Sequence, residues 1–177
     1  MSEPKSKLYV ASPLGFSEAG RSFYNSTLLP ELKRLGFKIL DPWTLTDPKK
    51  IAQVLSLPYG QKKKAAWEKL NQEIGLNNRR AIDTCDGIFA VLDGVDVDSG
   101  TAAEIGYGFA RGKPILGYRG DFRLSADNEG SIVNLQVEHF IRASGGIIVT
   151  NLSDVAGTVR KVFGAQTGRK SPLGRTP

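Results

Sequence analysis

One cysteine, one histidine and one methionine are present in 177 residues. The lone cysteine, Cys85, excludes an internal disulfide and a cysteine-based zinc site, which fits a reducing cytosol. The lone histidine, His139, cannot build a zinc site, and no Ser/His/Asp or Cys/His triad assembles around it. It reads as a packing or surface residue, and Cys85 as a small buried one. No apolar run approaches the roughly 18 residues that a membrane span needs. The opening MSEPKSK has no apolar stretch of the secretory kind. A cytoplasmic protein with no membrane partner is therefore expected. No GxGxxG follows the first apolar run, and Ser12-Pro13-Leu14-Gly15 is not a P-loop, so neither dinucleotide nor P-loop chemistry is indicated.

What is present is ordinary for a globular chain: 40% hydrophobic and 24% charged residues with a mean hydropathy of −0.22. A chain of this size buries roughly 70% of its unfolded surface and can build a core without staples. The formal charge of +6 raises the question of nucleic acid. Its distribution answers against it. Lys49, Lys50, Lys62, Lys63 and Lys64 share one central segment, and Arg169, Lys170 and Arg175 share the Gly/Pro/Ser-rich end. No aromatic residues alternate with them as a stacking platform requires. They read as a solvated face and a loose tail, and a nucleic-acid partner is not expected.

Short apolar runs alternate with helix-like stretches, the pattern of a parallel sheet covered on both faces. Strands are expected at 8–11, 37–40, 87–92, 114–118 and 146–150, and helices at 17–35, 65–84, 100–111, 131–143 and 153–163. Leu28, Leu32 and Leu35 form one stripe of the first helix, with Gly36 as its stop. The expected architecture is an α/β fold with a five-stranded parallel sheet, flavodoxin- or Rossmann-like. One domain over residues 1–164 and a disordered basic tail over 165–177 are expected. Residues 41–64 carry Pro42, Pro48 and Pro58 and read as a long flap near the site.

In such sheets ligands bind beyond the carboxyl ends of the strands. The richest such segment is 93–107, DGVDVDSGTAAEIGY. Asp93, Asp96 and Asp98 crowd the loop, and Ser99, Gly100 and Thr101 open a helix bearing Glu104. Thr101-Ala-Ala-Glu104 fits a capping box, in which the glutamate bonds back to the cap amide. That account leaves the preceding acids unexplained. A carboxylate near a helix N-terminus is also held ionised by the dipole, as a carboxylate nucleophile needs to be.

DSGTAAEIGY after GIFAVLDG resembles the signature of the nucleoside 2-deoxyribosyltransferase family. The resemblance runs over residues 8–155 and includes LYVAS, NNRRAIDTCDG and GSIVNLQ. It implies exchange of the base of a 2′-deoxyribonucleoside by double displacement, with retention at C1′ as in a retaining glycosidase. By that resemblance Glu104 matches the nucleophile and would form a covalent deoxyribosyl ester. Asp98 matches the aspartate that holds the sugar hydroxyls, and Tyr9 matches a tyrosine that orients the nucleophile. Gly100 belongs to the same substrate-facing helix start, and Phe16 is placed to stack on the base or simply to pack. Asn134 and Gln136 match positions that reach into a neighbouring subunit's site, which implies a homo-oligomer with shared sites. Partners would be deoxyribonucleosides and free bases, with no metal or organic cofactor.

One position departs from the family pattern. Where better-known members carry an aspartate that handles the proton of the leaving base, gapless spacing from Glu104 puts Asn78. Trp67, Leu70, Ile74, Asn78 and Ala81 recur at steps of three or four, so Asn78 sits on an inward helical face toward the base. An amide is no general acid. Asp93, at a strand's carboxyl end, is the preferred replacement, with Asp83 and water as alternatives. A related branch hydrolyses 2′-deoxynucleoside 5′-monophosphates and carries serine where this chain has Asp98. An aspartate there repels a phosphate monoester. Transfer between unphosphorylated nucleosides is therefore the first reading, an N-hydrolase on the same scaffold the second, and a non-catalytic nucleotide-sensing module the third.

Overall fold

The computed structural model describes residues 6–164. The stretch 165–177, expected above as a disordered tail, lies outside them. Five strands form one parallel sheet: β1 (Lys7–Ala11), β2 (Lys38–Leu40), β3 (Gly87–Val91), β4 (Ile115–Tyr118) and β5 (Ile148–Val149). Their order is β2-β1-β3-β4-β5, the flavodoxin-like doubly wound arrangement expected from the alternation. Every residue of β3 is buried, which is why GIFAV is apolar throughout instead of alternating. Side chains such as Ile88 and Phe89, fully buried, each stabilise the fold by roughly 1.5–3 kcal/mol relative to exposure.

The helices are α1 (Glu18–Phe23), α2 (Leu29–Arg34), α3 (Pro48–Ser56), α4 (Gln61–Thr84), α5 (Ser99–Ala110), α6 (Leu135–Ala143) and α7 (Leu152–Gly164). Side chains of α4, α5 and α6 pack on one face of the sheet, and those of α1, α2 and α7 on the other. Successive strand residues point to opposite faces. In β1, Leu8 and Val10 therefore join the second layer, while Tyr9 and Ala11 turn toward α4 and α5. This parity delivers the tyrosine to the side where the site forms. None of the described helices is long and apolar enough to cross a membrane.

Four local expectations are revised. The helix over 17–35 is interrupted by a π turn, Tyr24–Leu28, in which the Leu29 amide donates to the Tyr24 carbonyl five residues back. Pro30 follows immediately. Its missing N–H and bulky ring disfavour a regular turn, and the wider one accommodates both. Gly36 ends this helix at φ +97°, as its position suggested. The segment 41–64 does flank the site, with Pro42, Trp43, Thr46 and Ile51 lining a cleft, but it is partly helical: it contains α3, whose first turn is capped by Asp47 accepting from the Lys49 amide. α6 begins at Leu135 instead of residue 131, because the Asn134 side chain accepts from the Gln136 and Val137 amides and starts the helix there. β5 is only two residues long.

Candidate active site

Strand order reverses between β1 and β3, and a cleft of about 560 Å³ opens beyond their carboxyl ends. The start of α5 supplies Asp98, Gly100, Thr101 and Glu104 to one wall. α4 supplies Trp67, Ile74 and Asn78 of the inward stripe read from the sequence, together with Asn71, while Leu70 and Ala81 of that stripe are buried. Phe16 and Ser12 come from the turn after β1, and Pro42, Trp43, Thr46 and Ile51 from the segment after β2.

α5 does not begin with the capping box that Thr101 and Glu104 suggested. Asp98 is the N-cap, and its Oδ2 accepts from the Thr101 amide at 2.9 Å and from the Thr101 hydroxyl at 3.3 Å. Asp98, three residues upstream, claims the Thr101 amide that the Glu104 carboxylate would take in a capping box. Glu104 is thereby released from capping and accepts instead a 2.6 Å hydrogen bond from the Tyr9 hydroxyl. Tyr9 has no exposed surface. Burial, and then the neighbouring Glu104 charge, push its hydroxyl well above the usual phenol range, so it stays a donor.

Burial raises the Glu104 carboxyl to about 7; the Tyr9 hydrogen bond pulls the other way, and the Asp98 charge adds to the rise. Glu104 stands six residues past the Asp98 cap, beyond the first turn where a helix N-terminus favours charge, and desolvation raises its carboxyl against the expectation of a dipole-held carboxylate. A carboxyl so shifted inside a cleft is a candidate for chemistry. The Asn78 amide nitrogen lies 3.5 Å from Glu104 Oε1. Its Oδ1 is buried without a hydrogen-bond partner among the described residues. An acceptor so placed costs free energy unless something donates to it.

The structure does not bring every named residue to the cleft. Asp93, the preferred acid, turns away: its Oδ1 accepts from the Gly120 and Asp121 amides at 2.6 and 2.9 Å. It ties the loop after β3 to the loop after β4 and is absent from the cleft wall. Asp83 is equally remote, accepting from the Tyr107 hydroxyl and pairing with Arg111 at 3.0 Å. Asn134 is the α6 cap, and Gln136 is exposed; neither lines this cleft. His139 is exposed beside Phe109 and Phe140, and Cys85 is buried. The residues passed over in the sequence are Trp43, Thr46, Ile51 and Asn71. Trp43 carried a usable signal, since it is an aromatic residue just beyond the end of a strand.

The model of the family described as Nucleoside 2-deoxyribosyltransferase matches residues 8–136. An uncharacterized Schizosaccharomyces pombe protein is 29% identical, with 53% of this chain and 63% of that protein aligned. The chain thus spans less than two thirds of that relative's length. Among solved structures, a conserved protein from Enterococcus faecalis superposes with a TM-score of 0.63 at 23% identity, covering 89% of this chain and 99% of that one. A 2-desoxiribosyltransferase from Leishmania mexicana superposes with a TM-score of 0.60 at 21% identity, covering 91% and 99%. At such identities these superpositions speak for the fold.

Proposed function

Because the chain belongs to the nucleoside 2-deoxyribosyltransferase family, we propose that it moves the 2-deoxyribosyl group of a 2′-deoxyribonucleoside from one base to another, with Glu104 as nucleophile. The observation that carries this reading is the buried Tyr9–Glu104 hydrogen bond of 2.6 Å inside the cleft. Tyr9 engages Oε1, which leaves Oε2 of the ionised carboxylate to attack C1′. The C1′–O bond forms as the C1′–N bond breaks, and the bonding pair leaves on the base nitrogen. A nitrogen lone pair of the incoming base then attacks C1′ from the opposite face as the C1′–O bond breaks, which restores the carboxylate, and the base gives up its N–H proton to water. Two inversions give net retention.

Asp98 caps with Oδ2, and its other oxygen is available to a sugar hydroxyl. Asn78 Oδ1 is an acceptor awaiting an N–H donor, and a nucleobase supplies one. With Asp93 and Asp83 engaged elsewhere, the departing base takes its proton from water. A second copy of the chain completing the site through Gln136 is part of the proposal, supported by the exposure of that side chain. Sedimentation showing a fully active monomer would remove that part.

The decisive experiment incubates the protein with deoxyinosine and adenine, and separately with thymidine and adenine, and follows deoxyadenosine by chromatography. Deoxyadenosine is expected. Free hypoxanthine or thymine without deoxyadenosine would make the protein an N-hydrolase, and no change in either mixture would overturn the glycosyl-transfer reading.

A further inference from the structure

The wall of the cleft after β2 is unusual, and its support is as informative as its surface. Trp43 follows β2 by three residues and is held from three sides. From below, Gly15 packs against its indole so closely that a Cβ on Gly15 would sit 2.1 Å from Cε2 and 2.4 Å from Cδ2. From the side, the Phe16 ring meets it edge-on at 4.8 Å and 84°. From behind, its amide donates to Asp41 Oδ1 at 3.1 Å, and the same oxygen accepts from the buried Tyr24 hydroxyl at 2.9 Å. Tyr24 opens the π turn, so the widened helix places the phenol that anchors the tryptophan's turn. Asp41 and Tyr24 are both buried, and neither lines the cleft. Such a deep investment in one partly exposed ring is more than the core requires.

We infer that Trp43 is the specificity-determining residue of the cleft, stacking on the base and favouring a bicyclic, purine-type base over a monocyclic one. This rests on the deoxyribosyl-transfer reading and extends it to the substrate class. Trp67 and Ile74 of α4 and Ile51 of α3 complete an apolar chamber around the ring. Stacking strength grows with shared aromatic surface, and loss of one good base–aromatic stack weakens binding by about tenfold to a hundredfold. A purine, with two fused rings, has more to lose than a pyrimidine. Gly15, Asp41 and Tyr24 are positioning residues that act only through Trp43.

The glycine makes a sharp test possible. Its backbone is in an ordinary conformation, so Gly15→Ala adds a methyl group whose principal obstacle is the indole. The experiment compares kcat and KM for deoxyinosine, deoxyadenosine and thymidine in the wild type, Gly15→Ala, Trp43→Leu and the double variant. Trp43→Leu is expected to raise KM for the purine nucleosides about tenfold or more and that for thymidine far less, with kcat changed least. Gly15→Ala should mimic it, and the double variant should be no worse than Trp43→Leu alone, because the added methyl then has no indole to displace. Equal losses for all three substrates, or additive effects of the two substitutions, would overturn the inference. Trp43 and Trp67 are the two tryptophans of the chain, so in a Trp67→Phe background the indole fluorescence reports on Trp43 alone. Quenching by deoxyinosine and deoxyadenosine at lower concentration than by thymidine is expected, and no quenching by any of them would overturn the inference. Such quenching without turnover would instead sink the proposed reaction and leave the purine preference standing.

Discussion

Two neighbouring loops of the sheet's carboxyl edge use the same residue types to opposite ends. Above β4, Arg119 is 2% exposed and its guanidinium is spent on backbone carbonyls, donating to Leu92 at 2.5 Å, Arg123 at 2.6 Å and Gly94 at 3.2 Å. Asp93 answers by accepting the Gly120 and Asp121 amides. Asp121 pairs with Arg123, whose hydrogen bonds hold its carboxyl well below the usual carboxylate range. Here charges are matched with donors and acceptors, and the result is a clasp between two loops. Above β1, Glu104 has the Tyr9 hydroxyl at 2.6 Å, a long 3.5 Å contact from the Asn78 amide and no ion pair among the described residues, and burial raises its carboxyl to about 7. A carboxylate given every partner becomes structure; one given too few is kept reactive.

That contrast can be broken most severely at Glu104. Glu104→Gln should lower glycosidic cleavage by about a thousandfold or more, read as base release under saturating nucleoside. The same substitution should stabilise the protein. The folded state holds this proton more tightly than the unfolded chain, so stability falls as pH rises from the ordinary 4.5 to about 7 and is level above. Glutamine removes that loss, and urea melts should show a gain of at most about 3 kcal/mol above pH 7 and little below pH 4.5. An equal gain at both pH values would refute the buried-carboxyl account.

Arg119→Met is the counterpart in the clasp. It should cost about 2–4 kcal/mol of stability by leaving buried carbonyls unpaired, and the protein that remains folded should keep the acid limb of its pH–rate profile. A shifted limb would tie the clasp to the chemistry. Tyr9→Phe sharpens the other side. Its hydrogen bond lowers the Glu104 pKa, so removal should move the acid limb of kcat to higher pH and slow turnover at neutral pH about tenfold. Asp93→Asn should do least. The amide oxygen still accepts from Gly120 and Asp121, so a stability change below about 1 kcal/mol and an unmoved profile are expected. Abolished turnover in that variant would restore Asp93 as the acid.

Which parts of this could be read beforehand follows from the range of the forces involved. The buried strand GIFAV and the stripe Trp67–Leu70–Ile74–Asn78–Ala81 are properties of neighbouring residues, and both were legible. Tyr9 and Glu104 are 95 positions apart, so no local pattern joins them, and their pairing came from resemblance to a family. Asp93 and Asp98 look alike in the loop. One is claimed by amides 27 and 28 positions away, the other by an amide three positions on, and only the second is visible locally. The capping box failed for a subtler reason: two residues fit the same cap grammar, and the upstream one won. The π turn needed both Pro30 and the buried pull of Tyr24 on Asp41, a combination of local and distant causes.

The crossover that separates β1 from β3 also has a kinetic meaning. β1 pairs with β2 on one side and with β3 on the other, so the tyrosine waits for a partner strand that begins at residue 87. Contacts of such long sequence separation are the slow ones to form, because the chain between them must be closed first. In refolding from denaturant, helical signal should return ahead of turnover, and turnover no sooner than the sheet is joined at its centre. The Tyr9–Glu104 pair is thus a clock for the last act of assembly: a molecule in which hydroxyl meets carboxylate has already folded everything in between.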